Sequence, residues 1–270
     1  MAQFAQSFCI PMFVSDNEPE SYRAVIAHAA KIGYPAFEIW GRDWLPFETV
    51  LAYANEYGMT IPTMCGHGTL TDGLNRPENH ARIRDEVLAS LDVAVRAGIR
   101  NLICFTGNRY GLADDACLDI VADGLRSVAP EAEAAGVTLV LELLNSKVDH
   151  PDYQADHTAW GAEVVRRVDS PRVKLLYDIY HMQIMEGDLC RTITDNLPYL
   201  GHFHTAGNPG RHDMDETQEI NYPAVIATLR ASDYSGYVAH EFMPKGDPLQ
   251  ALEQAFRLWD AGVRTSSCNQ

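Results

Sequence analysis

Short apolar runs alternate with longer amphipathic segments along most of the chain. The runs have the length and composition of buried strands, and the segments between them carry apolar residues at helical spacing. The predicted strands are Phe4–Phe13, Ala36–Trp40, Thr60–Cys65, Asn101–Thr106, Thr138–Leu144, Val173–Asp178, Tyr199–Thr205 and Gly236–Phe242. The predicted helices are Glu20–Ile32, Pro46–Tyr57, His80–Ala97, Ala113–Ala135, Thr158–Val168, Leu189–Leu197, Tyr222–Ala231 and Pro248–Ala261.

Eight strands in alternation with eight helices predict an α/β fold, a single (β/α)8 TIM barrel that takes in residues 1–270 as one domain. Glycine follows several predicted helices just before the next strand, as at Gly33, Gly98 and Gly136, where helices commonly end. The alternative is an open, doubly wound sheet. The first strand lacks a GxGxxG turn and the chain has no Walker-type loop, so the barrel is favoured. Such barrels carry their active sites at the carboxyl ends of the strands.

Composition narrows the class of protein. Hydrophobic residues make up 46% and charged residues 21% of the 270-residue chain, as expected for one globular barrel. The formal net charge of -16, without a cluster of Lys and Arg, argues against binding to nucleic acid. The six scattered cysteines form no CxxC pair, which predicts a reducing compartment. We expect neither a signal peptide nor a membrane-spanning stretch, and therefore a cytoplasmic protein without a membrane partner.

Each of the last four predicted strands carries an ionisable residue near its carboxyl end. These residues are Glu142, Asp178, His204 and Glu241. Because the strand ends of a barrel converge, a divalent metal ion is the simplest partner for all four. Three carboxylates and one imidazole make an oxygen-rich site, which favours Mn²⁺ or Mg²⁺, with Co²⁺ or Zn²⁺ as alternatives. A small-molecule substrate with adjacent oxygen atoms would bind at the open positions, and the cation would stabilise an enediolate.

Each of these residues also has a structural interpretation. Glu142 and Glu241 would then form ion pairs with arginine side chains. Asp178 would cap a helix. His204, which alternates with His202 on one strand face, would be a hydrogen-bonded core histidine. The occurrence of four ligand-type residues at four successive strand ends favours the metal site.

Glu142 and Glu241 are also candidates for proton transfer. They come from strands three apart in order, so they would flank a bound substrate from opposite sides. Each can accept or donate a proton, which an isomerase needs at two adjacent carbons. We therefore predict that these two glutamates are catalytic.

Two motifs in the second half of the chain resemble the hydroxypyruvate isomerase family. They are YDIYHMQIMEGD (Tyr177–Asp188), and PGRH (Pro209–His212) followed by EINYP (Glu219–Pro223). That family belongs to the sugar isomerase/epimerase group of metal-dependent barrels, which resembles xylose isomerase and the ketose 3-epimerases. The resemblance covers most of the chain, and its specific motifs lie between Glu142 and Gly246.

The resemblance implies the same four metal ligands and the same acid/base pair. It also implies that His181 and Arg211 contact substrate oxygens, as in the ketose 3-epimerases, and that the protein is a homo-oligomer, either a dimer or a tetramer. Arg211 has an alternative role, which is to order its loop through an ion pair with Asp213, Asp215 or Glu216.

Two positions depart from the hydroxypyruvate isomerase pattern. Those enzymes typically have glutamine where this chain has His204, whereas the ketose 3-epimerases have histidine there. The last strand reads AHEF (Ala239–Phe242) instead of Gly-Cys-Glu-Tyr. Both departures leave the exact substrate open. Upstream, Trp40 and His67 lie at predicted strand ends, where each would either line the substrate pocket or pack in the core.

We therefore expect a metal-dependent isomerase that interconverts an aldehyde and a ketone through an enediolate. Its substrate would be a small hydroxy-carbonyl acid or sugar, and the resemblance makes hydroxypyruvate and tartronate semialdehyde the default pair. The alternative is a ketose 3-epimerase that acts on an unphosphorylated sugar. An apurinic endonuclease would need more histidine and carboxylate ligands and a basic groove. A non-catalytic binding barrel would tolerate the loss of either glutamate.

Overall fold

The computed structural model describes residues 4–261. The strands in this part of the chain are β1 (Ala5–Phe8), β2 (Thr63–Cys65), β3 (Asn101–Cys104), β4 (Thr138–Leu143), β5 (Val173–Asp178), β6 (Leu200–Thr205) and β7 (Tyr237–His240). The α-helices are α1 (Pro19–Ile32), α2 (Phe47–Glu56), α3 (His80–Ala97), α4 (Asp114–Arg126), α5 (Ala129–Ala135), α6 (Thr158–Val168), α7 (Ile179–Met185), α8 (Leu189–Asn196), α9 (Tyr222–Arg230) and α10 (Pro248–Ala261). None of these helices is both long and apolar enough to cross a bilayer.

The strands form one sheet in the order β1-β7-β6-β5-β4-β3-β2. The pairings of β1 with β7, β2 with β3, β3 with β4 and β4 with β5 are all parallel. Parallel neighbours need crossover connections, and here helices supply them. This is the repeat from which a TIM barrel is built, so the predicted fold class is confirmed.

The second predicted strand is present only as isolated bridges. Cys9 bridges Glu38, and Ala36 bridges Thr60, in both cases in parallel. Residues 36–40 therefore lie beside β1, as expected of the second predicted strand, but they do not form a continuous strand. Pro35 has no N–H to donate to a ladder, which helps to keep the paired stretch short.

The chain divides into two compact units. One takes in residues 1–61, 188–195 and 204–270, as far as the structure describes them, and the other takes in residues 62–187 and 196–203. In the first unit the core is aromatic: the ring centroid of Tyr34 lies 5.0 Å from that of Phe8 and 4.8 Å from that of Phe256. In the second unit α6 packs on β4 and β5 at Gly161, where an added Cβ would lie 2.8 Å from Leu143 and 2.9 Å from Leu175.

The predicted helix positions are largely confirmed, and three predicted helices match α3, α6 and α10 to the residue. The prediction of one helix over Ala113–Ala135 is wrong. That segment forms α4 and α5, and Pro130 lies in the first turn of α5, where proline is tolerated because the N–H of that position has no helical partner. Helix α7 has no counterpart among the predicted helices. It begins directly after Asp178, which caps it.

Candidate metal and substrate site

The predicted ligands lie at or near the carboxyl ends of their strands. Glu142 is in β4, Asp178 ends β5, His204 is in β6 and Glu241 directly follows β7. All four are buried, and each offers one ligand atom that lies within 4.8 Å of those of the other three. Two atoms on opposite sides of one cation, each at about 2.2 Å, are separated by roughly 4.4 Å. The spacing therefore suits a single divalent ion.

Glu142 interrupts an otherwise apolar strand. Its neighbours Leu141 and Leu143 are fully buried, and Glu142 itself is only 6% exposed. A carboxylate in these surroundings is costly to desolvate and needs a cation or good hydrogen-bond donors. The side chain thus has the environment expected of a ligand.

Glu241 has partners on both carboxylate oxygens. Its Oε2 lies 2.9 Å from Nδ1 of His204 and 2.5 Å from Nη2 of Arg211, and its Oε1 accepts the indole N–H of Trp40 at 2.8 Å. Burial would raise the pKa of Glu241, but the positive charge of Arg211, the nearby imidazole of His204 and the indole N–H of Trp40 outweigh burial and hold that pKa well below its usual range. Glu241 is therefore ionised, which is the state that binds a cation or accepts a proton.

Arg211 reaches Glu241 from the irregular segment that follows β6. Its φ of 55° is in the left-handed region, and its carbonyl accepts the N–H of Met243 at 2.8 Å. The alternative role for Arg211 was a loop-ordering ion pair. Asp215, one of the possible partners, instead pairs with Lys245 at 2.6 Å. The observed contact of Arg211 is with the candidate ligand.

Asp178 uses one carboxylate oxygen to cap α7. Its Oδ1 accepts the backbone N–H groups of Tyr180 at 2.8 Å and His181 at 3.2 Å. The helix-cap interpretation of Asp178 is therefore correct. Its Oδ2 lies 3.6 Å from Nε2 of His181. Because the two oxygens serve different partners, the cap is compatible with metal binding through Oδ2.

His181 is fully buried and held in one orientation. Its Nδ1 lies 2.6 Å from Nδ2 of Asn145, so Nδ1 accepts a hydrogen bond and Nε2 carries the proton. The His181 ring packs against two other rings: its centroid lies 5.3 Å from that of His150 and 5.2 Å from that of Tyr180. The ring thus presents an N–H on the side of Asp178.

His67 is anchored through one ring nitrogen. Its Nε2 accepts the backbone N–H of Phe105 at 2.9 Å, and burial lowers the pKa of His67 to about 4. The imidazole is therefore neutral and carries its proton on Nδ1. Among the residues that the structure describes, none accepts a hydrogen bond from this Nδ1. A substrate oxygen is one group that would satisfy it.

Glu38 is a buried carboxylate that the sequence prediction missed. It is 1% exposed, its Oε1 accepts the hydroxyl of Ser7 at 2.8 Å, and its Oε2 lies 3.2 Å from Nε2 of His204. Glu38, His202 and His204 also form a second set of close ligand atoms. The signal was present in the sequence, because Glu38 interrupts the apolar run AFEIW just as Glu142 interrupts its own strand.

A cleft of about 570 Å³ borders Trp40. Its lining includes two tryptophans and three polar residues: Trp40, Trp44, Asp16, Asn17 and Asp43. The indole of Trp44 is 60% exposed, and the two indole centroids lie 6.0 Å apart at 81°. Because Trp40 also donates to Glu241, the cleft adjoins the candidate acid/base residue.

The donor set is of the type that hard divalent cations prefer. It offers carboxylate oxygens and one imidazole nitrogen, and it contains no thiolate. At least one of the carboxylates, that of Glu241, is held ionised. The residues present therefore fit the predicted class of metal.

Comparison with known proteins agrees with the fold and the motifs. The chain is 33% identical over 141 residues to a putative hydroxypyruvate isomerase of Danio rerio, a match that covers 52% of this chain and 51% of that protein. It is 28% identical over 255 residues to the 3-dehydro-D-guloside 4-epimerase of Escherichia coli strain K12, covering 88% of this chain and 93% of that protein. A solved structure described as an AP endonuclease, family 2, from Brucella melitensis is similar at 26% identity, with a TM-score of 0.82 over 98% of this chain and 100% of the other.

The match to the Danio rerio protein thus spans about half the length of that relative, whereas the match to the epimerase spans nearly the whole length. A family model also matches, over residues 26–261, and its description is xylose isomerase-like TIM barrel. This match covers most of the chain and includes all four predicted ligands. The chain belongs to the xylose isomerase-like TIM barrel family.

Proposed function

We propose that this protein is a metal-dependent isomerase that moves a proton between two adjacent carbons of a small hydroxy-carbonyl compound. Our first candidate substrate pair is hydroxypyruvate and tartronate semialdehyde. The observation that carries the proposal is the set of four buried ligand atoms within 4.8 Å of one another, two of which belong to glutamates. The names of the hydroxypyruvate isomerase and 2-oxo-tetronate isomerase relatives support the reaction class.

In this proposal Glu142, Asp178, His204 and Glu241 hold the cation. A cation held there would supply Lewis-acid chemistry: it would polarise the substrate carbonyl and stabilise the negative charge of an enediolate. We propose Mn²⁺ or Mg²⁺ on the basis of the oxygen-rich donor set, with Co²⁺ or Zn²⁺ as alternatives.

The two glutamates exchange the proton. One carboxylate removes the proton from the hydroxyl-bearing carbon next to the carbonyl, and the other residue, which starts protonated, delivers a proton to the former carbonyl carbon. The hydroxyl proton passes from one substrate oxygen to the other, so that the carbonyl changes position. Glu241 suits the first role because its carboxylate is ionised and fixed by Arg211 and Trp40. Glu142 then takes the second role, and the two exchange roles in the reverse reaction.

Arg211, His181 and His67 supply hydrogen-bond donors to substrate oxygens. The guanidinium of Arg211 has one N–H directed at Glu241, and its fork geometry suits an oxygen of the enediolate or a carboxylate. The N–H of His181 lies on the side of Asp178, and that of His67 is buried. Trp40 fixes Glu241 and borders the cleft, so it would contact the substrate with its ring.

A substrate screen tests the reaction. The purified protein would be stripped with EDTA, reloaded with Mn²⁺ or Mg²⁺, and incubated with hydroxypyruvate, tartronate semialdehyde and a panel of ketoses, with products identified by NMR. We expect turnover of one substrate class only in the metal-loaded samples, and its loss in Glu142→Gln. Glu163→Gln on α6, where the side chain is 28% exposed and pairs with Arg166 and Arg167, is the matched control. Full activity after thorough metal removal would contradict the proposal.

The second candidate is an epimerase that acts on an unphosphorylated sugar. Two observations favour it: His204 stands where the resemblance to the ketose 3-epimerases implies histidine, and the match to the 3-dehydro-D-guloside 4-epimerase covers 88% of the chain. The same four ligands and two glutamates would serve, since epimerisation also proceeds by proton removal beside a carbonyl. Identification of the product distinguishes the two reactions directly, because one changes the carbonyl position and the other only a stereocentre.

We further propose that the protein acts in the cytoplasm on a free small molecule, as a dimer or tetramer, without nucleic acid. The net charge of -16 would repel a phosphate backbone, although one similar structure is described as an AP endonuclease. Light scattering on the purified protein would give the oligomeric state, and an abasic-site DNA cleavage assay should show no activity.

A further inference from the structure

We propose that Glu38 is a positioning residue for the metal site, which acts by orienting His204. This inference rests on the proposed function, since it assigns His204 as a ligand. It adds a residue outside the four candidate ligands, from the short bridged segment between α1 and α2.

A continuous series of contacts leads from Glu38 to the candidate site. The hydroxyl of Ser7 donates to Oε1 of Glu38 at 2.8 Å, Oε2 of Glu38 lies 3.2 Å from Nε2 of His204, and Nδ1 of His204 lies 2.9 Å from Oε2 of Glu241. All four residues are at most 6% exposed. The imidazole therefore lies between two carboxylates, one on each ring nitrogen.

Glu38 is fixed by its backbone as well as by its side chain. Its N–H donates to the carbonyl of Phe8 at 2.7 Å, and its carbonyl accepts the N–H of Ile10 at 2.9 Å. Ser7, the side-chain partner, is itself part of β1. The carboxylate thus has a rigid support and little freedom to turn away from His204.

This arrangement decides which nitrogen of His204 is available as a ligand. Because Glu241 is itself a candidate ligand, Glu38 is the carboxylate that would hold the proton of His204, on Nε2, when the lone pair of Nδ1 serves a cation. Nδ1 is the nitrogen on the side of Glu241, the neighbouring candidate ligand. A hydrogen bond from the far N–H of a ligating histidine to a carboxylate orients the ring and makes its ligand nitrogen more basic.

Glu38 could alternatively be a ligand itself, because Glu38, His202 and His204 also have close ligand atoms. A second cation there would use Nε2 of His204 and would compete with the contact to Glu38. The two interpretations differ in metal stoichiometry. The positioning role requires one equivalent of metal per chain in both the wild type and the Glu38 variants.

The test measures Mn²⁺ affinity by calorimetry and metal content by mass spectrometry. We expect Glu38→Gln to weaken Mn²⁺ binding by about 10- to 100-fold, and Ser7→Ala to weaken it by less. In a His204→Gln background, Glu38→Gln should have little further effect, because the residue through which it acts is gone. Glu163→Gln is the matched carboxylate-to-amide control and should leave the affinity unchanged. A thermal melt of each variant identifies misfolding, and Ser7→Ala or Glu38→Asp replaces Glu38→Gln if that variant does not fold.

An unchanged Mn²⁺ affinity in all the folded Glu38 and Ser7 variants would overturn the positioning role. So would two metal equivalents in the wild type that fall to one in Glu38→Gln, or an equal loss of affinity in the His204→Gln background. These readouts do not depend on turnover. A wild type that binds Mn²⁺ but converts no substrate would contradict the proposed function while leaving the assignment of Glu38 intact.

Discussion

Nη2 of Arg211 lies 2.5 Å from Oε2 of Glu241, although the two residues come from different loops and are 30 positions apart in the chain. The Nε–H of Arg211 also approaches the backbone carbonyl of Glu241, at 3.3 Å. The guanidinium therefore touches both the side chain and the backbone of the candidate base. A lysine ammonium, which is a compact point charge, would not reproduce these two contacts.

We expect Arg211→Lys to lower kcat by about 10- to 100-fold, since a hydrogen bond to a charged group is worth roughly 1.5–3 kcal/mol. The bound metal should stay at the wild-type stoichiometry, because Arg211 is not a ligand. Steady-state kinetics on the substrate found in the screen, together with metal analysis, would measure both. Arg166→Lys on α6 is the control, and an unaltered kcat in Arg211→Lys would argue against this role.

Trp40→Phe isolates the indole N–H that donates to Oε1 of Glu241. The ring is retained, so the cleft keeps its aromatic wall. Loss of one such hydrogen bond should lower kcat/KM by about 10-fold or slightly more. Trp44→Phe in the same cleft serves as the comparison, because the indole that donates to Glu241 is that of Trp40. Equal effects of the two variants would assign Trp40 a packing role only.

Asp178→Asn separates metal binding from helix capping. An asparagine keeps an oxygen that can accept the N–H groups of Tyr180 and His181, so α7 should persist and the melting temperature should change little. The negative charge is lost, and we expect Mn²⁺ affinity to fall by at least about 100-fold. Asp178→Ala should lose the cap as well, at a further cost of about 1 kcal/mol in the free energy of unfolding. Calorimetry and thermal melts would show whether the two effects separate.

Asp156 provides a pH-dependent contribution to stability away from the candidate ligands. Burial would raise its pKa, but Ser146 and Arg109, at 2.5 Å and 2.9 Å from its oxygens, outweigh burial and lower that pKa below the usual value of 3.8. A carboxyl whose pKa is lower in the folded state stabilises the fold above its unfolded pKa, and this contribution disappears as the pH falls through the folded pKa. Asp156→Asn loses the charge-assisted hydrogen bond to Arg109, so it should cost roughly 1.5–3 kcal/mol at pH 7 and progressively less below about pH 4. Urea titrations of both proteins at several pH values would measure the difference. A constant difference across this range would contradict the assignment.

The ionisable residues at the strand ends could be predicted because a charged side chain buried in an apolar run destabilises the fold unless it has a partner. Glu142 and Glu241 are identifiable on this ground from the sequence alone. Glu38 also interrupts an apolar run, but that run is short and lies in the first half of the chain, away from the other candidates.

Other features depend on contacts between distant parts of the chain. The pairing of Arg211 with Glu241 has no local sequence signal, and the nearer acidic residues were equally plausible partners. Helix α7 is only seven residues long and begins at a residue already assigned to a strand, so its periodicity is too brief to recognise. The sequence suggests that Asp178 caps a helix. It does not suggest that the same side chain can both cap the helix and serve as a candidate metal ligand.

The pairing of β1 with β7 has a consequence for the order of events during synthesis. Ala5 is in register with Tyr237, so β1 can meet this neighbour only after the long stretch of chain between them has been synthesised. Strands β2 to β5 pair with near neighbours in the chain and can associate much earlier. Because contacts between distant residues form slowly, we expect β1 to pair with β7 late in folding, and a circular permutation that makes the two strands near neighbours in the chain should speed refolding.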